Sequence, residues 1–530
     1  MGDRAEHVLV AGEWRPANAS DTFQAINPDT GETLPHVYPV SDRSDVDATV
    51  TAGAEAARTL TATEPERIAA FLDGYAHRID AAKDEIAAAA SLETALPVSP
   101  RLADVELPRT TDQLRQAAAA ARNDGWRQPT IDTTNNIRSM LGPLGGPVAV
   151  FGPNNFPLAF NGASGGDFAA AIATGNPVIV KAHPSHPRTT QLLTEATVPA
   201  LQEAGLPAAM VQMIYRTSHD DGAYFVSHPR IAATGYTGSR AAGLALKEAA
   251  DRAGKPIYLE LSSINPVFVL PGALRERREA LAEEFVGSAL LGTGQFCTNP
   301  GVVVVQAGDD AERFINTLRA GFESSAVGAL LGAATARGLD TAVGTLQSAG
   351  AELLTGGAAV EGSGCRFQNT LLRSSGGAFL ADPEGLQTEA FGNSNLIVVA
   401  DDEHQMERIA ESLEGNLTGC IYSHTGSDDD VLYERIAAPL RRRVGRLLND
   451  KMPTGVAVTP AMNHGGPYPA TGHPGFTAVG IPASLSRFAM LECYDNVRQH
   501  RLPPVLRDAN PESVWRRVDG EWTRNSIAEA

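Results

Sequence analysis

From Pro147 onward, short runs of β-branched and apolar residues alternate with longer stretches of helical periodicity, and this alternation limits the possible folds more than any other feature. The runs PVAVFG, PVIVKAH, VQMIYR and IAATGYTGS are separated by DFAAAIATG and by a helical stretch over residues 189–204. Apolar strands joined by helical crossovers imply a parallel, doubly wound sheet, because parallel neighbours cannot be closed by a tight hairpin. Ligands of such sheets collect at the carboxyl ends of the strands, which places residues 151–156, 181–184 and 236–239 at one site. After Gly254 the run PIYLELSSINPVFVLPG opens a second set of the same class, continued at GVVVVQAG, NLIVVADD, LTGCIYS and VGRLLND. The cleft between two such domains is the default binding site.

The rest of the chain is read around these two sets. Residues 8–35 suit a hairpin or edge strands, residues 45–122 two or three Ala-rich surface helices, and residues 453–482, rich in Gly, Pro and Thr, long loops over a site. Residues 139–166 and 285–308 are uncharged and long enough to span a bilayer. Their glycines, prolines and central Gln295, Thr298 and Asn299 would break them in lipid, so no membrane partner is expected. Lys and Arg total 43 against 62 Asp and Glu, a formal charge of −19 that repels nucleic acid in the far field. The four cysteines, Cys297, Cys365, Cys420 and Cys493, form no CxxC pair, and such sparse usage suits a cytoplasmic location. The first residues carry charges where a signal peptide needs an apolar run, so secretion is not expected.

Three segments carry chemistry. No GxGxxG follows a strand, so another phosphate grip is needed; Gly235-Tyr-Thr-Gly-Ser239, before a helical stretch over residues 240–253, offers a glycine turn at a helix N-terminus, or simply an ordinary helix start. Cys297, in GTGQFCTNPG, has turn-forming neighbours that would expose its sulfur and backbone N–H groups that could stabilise a thiolate. The other three cysteines read as structural. Glu260 lies in the apolar run YLELSSINPVFVL, where an unpaired carboxylate is costly, so it is either a hydrogen-bonded core acid or a general base. A cysteine nucleophile and a carboxylate base beside a dinucleotide suit aldehyde oxidation through a thioester. His464 and His473 lie in the Gly/Pro loops without a third ligand nearby, so no metal is expected, and His464 is placed at the substrate mouth. Arg109, Arg115 and Arg487 are candidates for meeting an acidic substrate.

FGPNNFPLAF, VIVKAHP, YTGS, ELSS, QFCTNPG and TEAFGN together resemble the aldehyde dehydrogenase superfamily across nearly the whole chain. The resemblance implies an α/β aldehyde dehydrogenase-like fold with two doubly wound domains and a small β oligomerisation element. The cofactor-binding domain would take residues 1–122 and 139–258, the catalytic domain 259–463, and the oligomerisation element 123–138 and 480–500, leaving 501–530 as a C-terminal tail. It also implies Cys297 as nucleophile, Glu260 as base, Asn155 with the Cys297 N–H as oxyanion hole, and Lys181 at the cofactor ribose. Phe151, Gly235 and Ser239 would line the cofactor, with Glu389 and Phe391 at the nicotinamide end, and Phe156, Thr298 and His464 would face the substrate. Asn393 stands where the family's E-x-F-G-P motif has proline, which would loosen that turn.

NNFPLAF, VKAHPSHP, LSSINPVF, HGGPYPAT and the closing NPESVWRRVDGEW resemble a bacterial branch that oxidises 2-oxoglutarate semialdehyde with NADP. The alternatives are a fatty or broad-range aldehyde dehydrogenase, an acylating enzyme using coenzyme A, and a non-catalytic cofactor-binding relative. NADP is expected over NAD, although NAD remains possible. Pro184 stands where NAD-using relatives commonly carry an acid, and His183, Ser185, His186 and Arg216 offer donors or charge to a 2′-phosphate. The expected assembly is a homodimer or homotetramer, and the expected partner a small aldehyde.

Overall fold

The computed structural model describes residues 5–60 and 63–527. Its first sheet has seven strands in the order Ile257–Glu260, Ala233–Thr237, Val148–Phe151, Val178–Lys181, Val211–Ile214, Val8–Val10 and Glu13–Arg15. The first five run parallel, and the N-terminal hairpin adds antiparallel at the far edge. These parallel strands are buried on both faces, which is why they read as unbroken apolar runs without alternation. The short helix Gly166–Ala173, buried throughout from Phe168 to Ala173, packs against them.

The second sheet also has seven strands, in the order Glu352–Thr355, Thr370–Ser375, Ser394–Ala400, Val302–Gln306, Val267–Val269, Asn416–Tyr422 and Val444–Asn449. Only its first strand is antiparallel. The run PIYLELSSINPVFVL therefore does not simply open the second set. Its first half closes the edge of the first sheet and its second half enters the middle of the second, so Glu260 stands where the chain crosses between them.

A five-stranded sheet joins Ala489–Asp495, Ile137–Pro143, Thr130–Asp132, Arg516–Val518 and Glu521–Thr523. Two expected boundaries are corrected by this pairing. Ile137–Pro143 crosses the division set at residue 139, and residues 516–523 are not a separate tail, because the open edge of Thr130–Asp132 takes Arg516–Val518 as a parallel neighbour. The N-terminal helical region is also more extensive than expected, with Arg43–Leu60, Pro65–Ala81, Lys83–Thr94 and Leu107–Arg122 as regular helices. They are not simply a surface layer, since Phe71, Leu72, Tyr75 and Leu114 are fully buried. Residues 453–482 are loops as expected, and among the described residues no helix is long and apolar enough to cross a membrane.

Candidate active site

Parallel strands present their two ends differently, and the cleft uses both. The first sheet offers the carboxyl ends of its strands, with Phe151, Lys181, Thr237 and Glu260 in adjacent register. The second sheet faces them with segments that precede its strands: residues 263–265, 297–301 and Asn393, followed by Asn416 at the start of its own strand.

Asn265 ties the second wall together. Its Nδ2 donates to the carbonyls of Cys297 at 2.9 Å and Asn299 at 2.8 Å. Its Oδ1 accepts from the hydroxyls of Ser263 and Thr418. Asn416 in turn accepts the N–H groups of Ile264 and Asn265. In the cysteine loop, Gly294 has φ +68, and a Cβ there would strike the Gly392 carbonyl, so the Cys297 and Glu389 turns pack backbone to backbone. Asn393, expected to loosen its turn, pins it instead: it is fully buried and donates to Phe367 O and Asn369 Oδ1, each at 2.8 Å.

This frame brings Cys297, Glu260 and His464 together, with one ligating atom from each within 4.8 Å of the others. His464 Nε2 lies 2.8 Å from Glu260 Oε1 and 3.4 Å from Cys297 Sγ. His464 was expected at the mouth of the site, yet both it and Glu260 are 1% exposed. Nε2 thus lies within hydrogen-bond reach of both the carboxylate and the sulfur. The 2.8 Å separation is a hydrogen-bond distance; two ligands of one tetrahedral zinc with bonds near 2.0–2.1 Å would stand roughly 3.3 Å apart. Burial pushes the Cys297 thiol well above its ordinary range, and the Glu260 charge adds to that, partly opposed by Arg109. Burial thus works against the thiolate that the neighbouring backbone N–H groups would stabilise. Of the other cysteines, Cys420 is buried and its thiol donates to Lys451 O, whereas Cys493 is exposed on an edge strand rather than packed.

Asn155 reaches the same loop, its Nδ2 donating to Gln295 O at 3.0 Å. It is held by Arg101, which donates to its carbonyl and pairs with the buried Glu106. Glu106 Oε1 also accepts the N–H groups of Leu158 and Ala159, each at 2.9 Å, which fixes the turn after Asn155. Phe156 packs edge-on against Phe160 and Phe296, and Phe160 lies 5.7 Å from the His464 ring, so aromatic faces line the approach to the sulfur. Thr298, expected to face the substrate, is buried and accepts from Gly455 N, tying the cysteine loop to the loops above it. Phe160, Phe296 and Asn265 lie within quoted motifs but carry no reactive group that would single them out, and Glu106 and Arg101 lie in none; only the cost of burying Glu106 in a helical stretch hints at a partner.

Along the first sheet, Lys181 has its pKa lowered to about 8 by burial, with Arg216 adding to the shift. The rings of His183 and His186 stack at 5.1 Å, and burial holds both below their ordinary range, His186 at about 4. His186 Nε2 is engaged with Pro153 O, so it is not the free donor expected for a phosphate, while Pro184 and Ser185 remain partly exposed on the turn. Gly235 is not in the glycine turn: it lies inside its strand, where a Cβ would strike Asp167. Phe151 is a core residue against Phe225 and Tyr236 and offers only its backbone. Ser239 is the N-cap of helix Arg240–Arg252, and its side chain makes no capping bond. Glu389, with Ser262 and the Ser263 amide facing it, is raised to about 7 by burial, and Phe391 is partly buried beside it. A cationic strand end, an uncommitted helix N-cap and a carboxylate across the cleft fit a dinucleotide in donor chemistry.

Residues 14–466 match the model described as the aldehyde dehydrogenase family. The chain belongs to that family. It is an aldehyde-oxidising enzyme with a nicotinamide cofactor. An alpha-ketoglutaric semialdehyde dehydrogenase 2 of Azospirillum brasilense is 37% identical over 97% of this chain and 98% of its own length. An alpha-ketoglutaric semialdehyde dehydrogenase of Acinetobacter baylyi is 34% identical over 99% of this chain and 100% of its own. Among solved structures, a mutant of aldehyde dehydrogenase C of Pseudomonas syringae in complex with NAD+ and octanal superposes with a TM-score of 0.79 at 20% identity, covering 93% of this chain and 97% of its own.

Proposed function

We propose that this enzyme oxidises 2-oxoglutarate semialdehyde to 2-oxoglutarate with NADP, through a thiohemiacetal and a thioester on Cys297. The observation that carries the chemistry is the shared Nε2 of His464 between Cys297 and Glu260. As the sulfur attacks the aldehyde carbon, its proton passes to the Glu260–His464 pair, and the charge developing on the former carbonyl oxygen falls to Asn155 Nδ2 and the Cys297 N–H. Lys181, Glu389 and Phe391 would hold the cofactor, which would supply the hydride acceptor for that carbon. Once the pair has released that first proton to solvent, Glu260 removes a proton from water as the water adds to the thioester; the carbon–sulfur bond breaks, the acid leaves, and Cys297 takes this second proton. A carboxylate placed to activate water suits hydrolysis rather than transfer to coenzyme A.

The substrate reading rests on the two near full-length relatives and their names. The NADP reading rests on the absence of an acid at Pro184 and on the exposed Arg216 near Lys181. Within this reading, the first sheet holds the cofactor, the second carries the nucleophile, and the exposed edge strand Ala489–Asp495 takes part in a homodimer or homotetramer in the cytoplasm. A broad-range aldehyde enzyme is the second reading, favoured by the aromatic walls at Phe156, Phe160 and Phe296. A panel of aldehydes assayed with NAD and NADP by absorbance of the reduced cofactor separates them: 2-oxoglutarate semialdehyde with NADP should give the highest kcat/KM, and equal handling of hexanal overturns the substrate.

A further inference from the structure

Among the described residues, the buried or half-buried arginines near the site are, Arg109 apart, hydrogen-bonded within the chain. Arg487 pairs with Asp167 at 2.5 Å. Arg101 pairs with Glu106, and Arg446 donates to the carbonyls of Pro453 and Gly455. Arg115 pairs with Asp80 at the surface. Arg109, in the first turn of helix Leu107–Arg122, makes no hydrogen bond or ion pair among the described residues, although its Nε and Nη2 are buried. A guanidinium stripped of water and given no acceptor is costly, and the cost is recovered when a ligand brings one.

Its surroundings say where that ligand lies. The guanidinium carbon sits 5.3 Å from the centre of the Phe160 ring and 5.7 Å from that of Phe156. Phe160 also lies against His464, and Phe156 against Phe296, the neighbour of Cys297. The same two rings thus link Arg109 to the surroundings of the sulfur, and the charges of Arg109, Cys297 and Glu260 act on one another. The two orphaned nitrogens are also the pair whose N–H bonds run parallel along one edge of a guanidinium, the edge that takes a carboxylate bidentately.

We infer that Arg109 is the receptor for the far carboxylate of the substrate, holding an acidic semialdehyde across the Phe156–Phe160 wall with its aldehyde at Cys297. This rests on the acidic-semialdehyde reading above and adds the residue that would make the choice. A carboxylate-bearing substrate gains a charge-assisted pair at Arg109, whereas an uncharged aldehyde of equal length leaves the guanidinium unpaired.

The test compares kcat/KM for 2-oxoglutarate semialdehyde and pentanal in the parental enzyme, Arg109→Met, Arg109→Lys and the surface control Arg115→Met, with a thermal melt of each. The ratio of the two specificity constants should fall about 100-fold in Arg109→Met, mainly through KM, in line with a charge-assisted hydrogen-bonded contact. Arg109→Lys should keep part of the preference, and Arg115→Met all of it. The Tm of Arg109→Met should hold or rise, because an unpaired buried charge is removed; a merely structural arginine would lower it. An unchanged ratio in Arg109→Met, or equal losses on both substrates, overturns the assignment while leaving the substrate reading standing. A parental enzyme with no preference for the semialdehyde overturns both.

Discussion

The catalytic cluster and the cofactor edge stand on opposite terms with their own chain. Around Cys297 the loop carbonyls, His464 and one oxygen of Glu260 are already engaged, and the sulfur is desolvated. At the ends of the first-sheet strands, the side chains of Lys181, Arg216 and Ser239 carry no hydrogen bond among the described residues, and Arg216 is exposed. Chemistry needs groups whose mutual positions are fixed before the substrate arrives, whereas recognition needs groups left unsatisfied until it does. Arg109 belongs with the second kind although it lies inside the first region.

This contrast breaks most readily at the cluster. Cys297→Ala should lower oxidation by at least about 10⁴-fold in a steady-state assay, because no thiohemiacetal forms. Its affinity for NADP, followed by fluorescence titration, should stay near the parental value; loss of both together would mean that the two regions are not separate.

Next in size, His464→Phe should cut turnover by about 10²-fold or more, as expected when a positioned acid–base group is removed. Glu260→Gln should spare the single-turnover burst of reduced cofactor more than acid release. Loss of the burst at an unaltered rate of Cys297 alkylation would place Glu260 before hydride transfer.

At the cofactor edge the effects are smaller, because charges there are partly screened by solvent. Pro184→Glu should shift the NADP/NAD ratio of kcat/KM toward NAD by about tenfold, the scale of one like charge set against a phosphate. An unchanged ratio would remove Pro184 from cofactor choice.

The smallest effect concerns pH. Lys181 titrates near 8 in the free protein, so its charge is present below that pH and lost as pH rises through it. KM for NADP should therefore increase a few-fold between about pH 7 and 9, with a weaker trend in Lys181→Arg, which stays charged. A flat profile would show that Lys181 holds the cofactor by hydrogen bonding alone.

Much of this was legible in the sequence where local pattern and chemistry coincide. The strand runs, the crossovers and Cys297 in its turn all announce themselves over a few residues, and Glu260 is conspicuous as a charge in an apolar run. The sequence places His464 too shallow, since nothing in MNHGGPY says which residue far along the chain meets its ring. Gly235 misled because a glycine required for packing against Asp167 looks the same as one required by a turn. The participation of residues 516–523 in a sheet was missed because short strands recruited by an open edge carry little periodicity of their own.

Asn265 has a further consequence in time. Its single side chain, on a backbone with φ 46, joins segments 32 and 153 residues distant, and Glu260 just before it belongs to the other sheet. None of these ties can close until both halves of the chain have found their neighbours, so the proposed nucleophile and its proposed base are among the last features a newly made chain acquires. Catalytic competence in this molecule is thus a statement about the whole chain having arrived, and a half-folded chain cannot act on an aldehyde before the cleft that disciplines the sulfur exists.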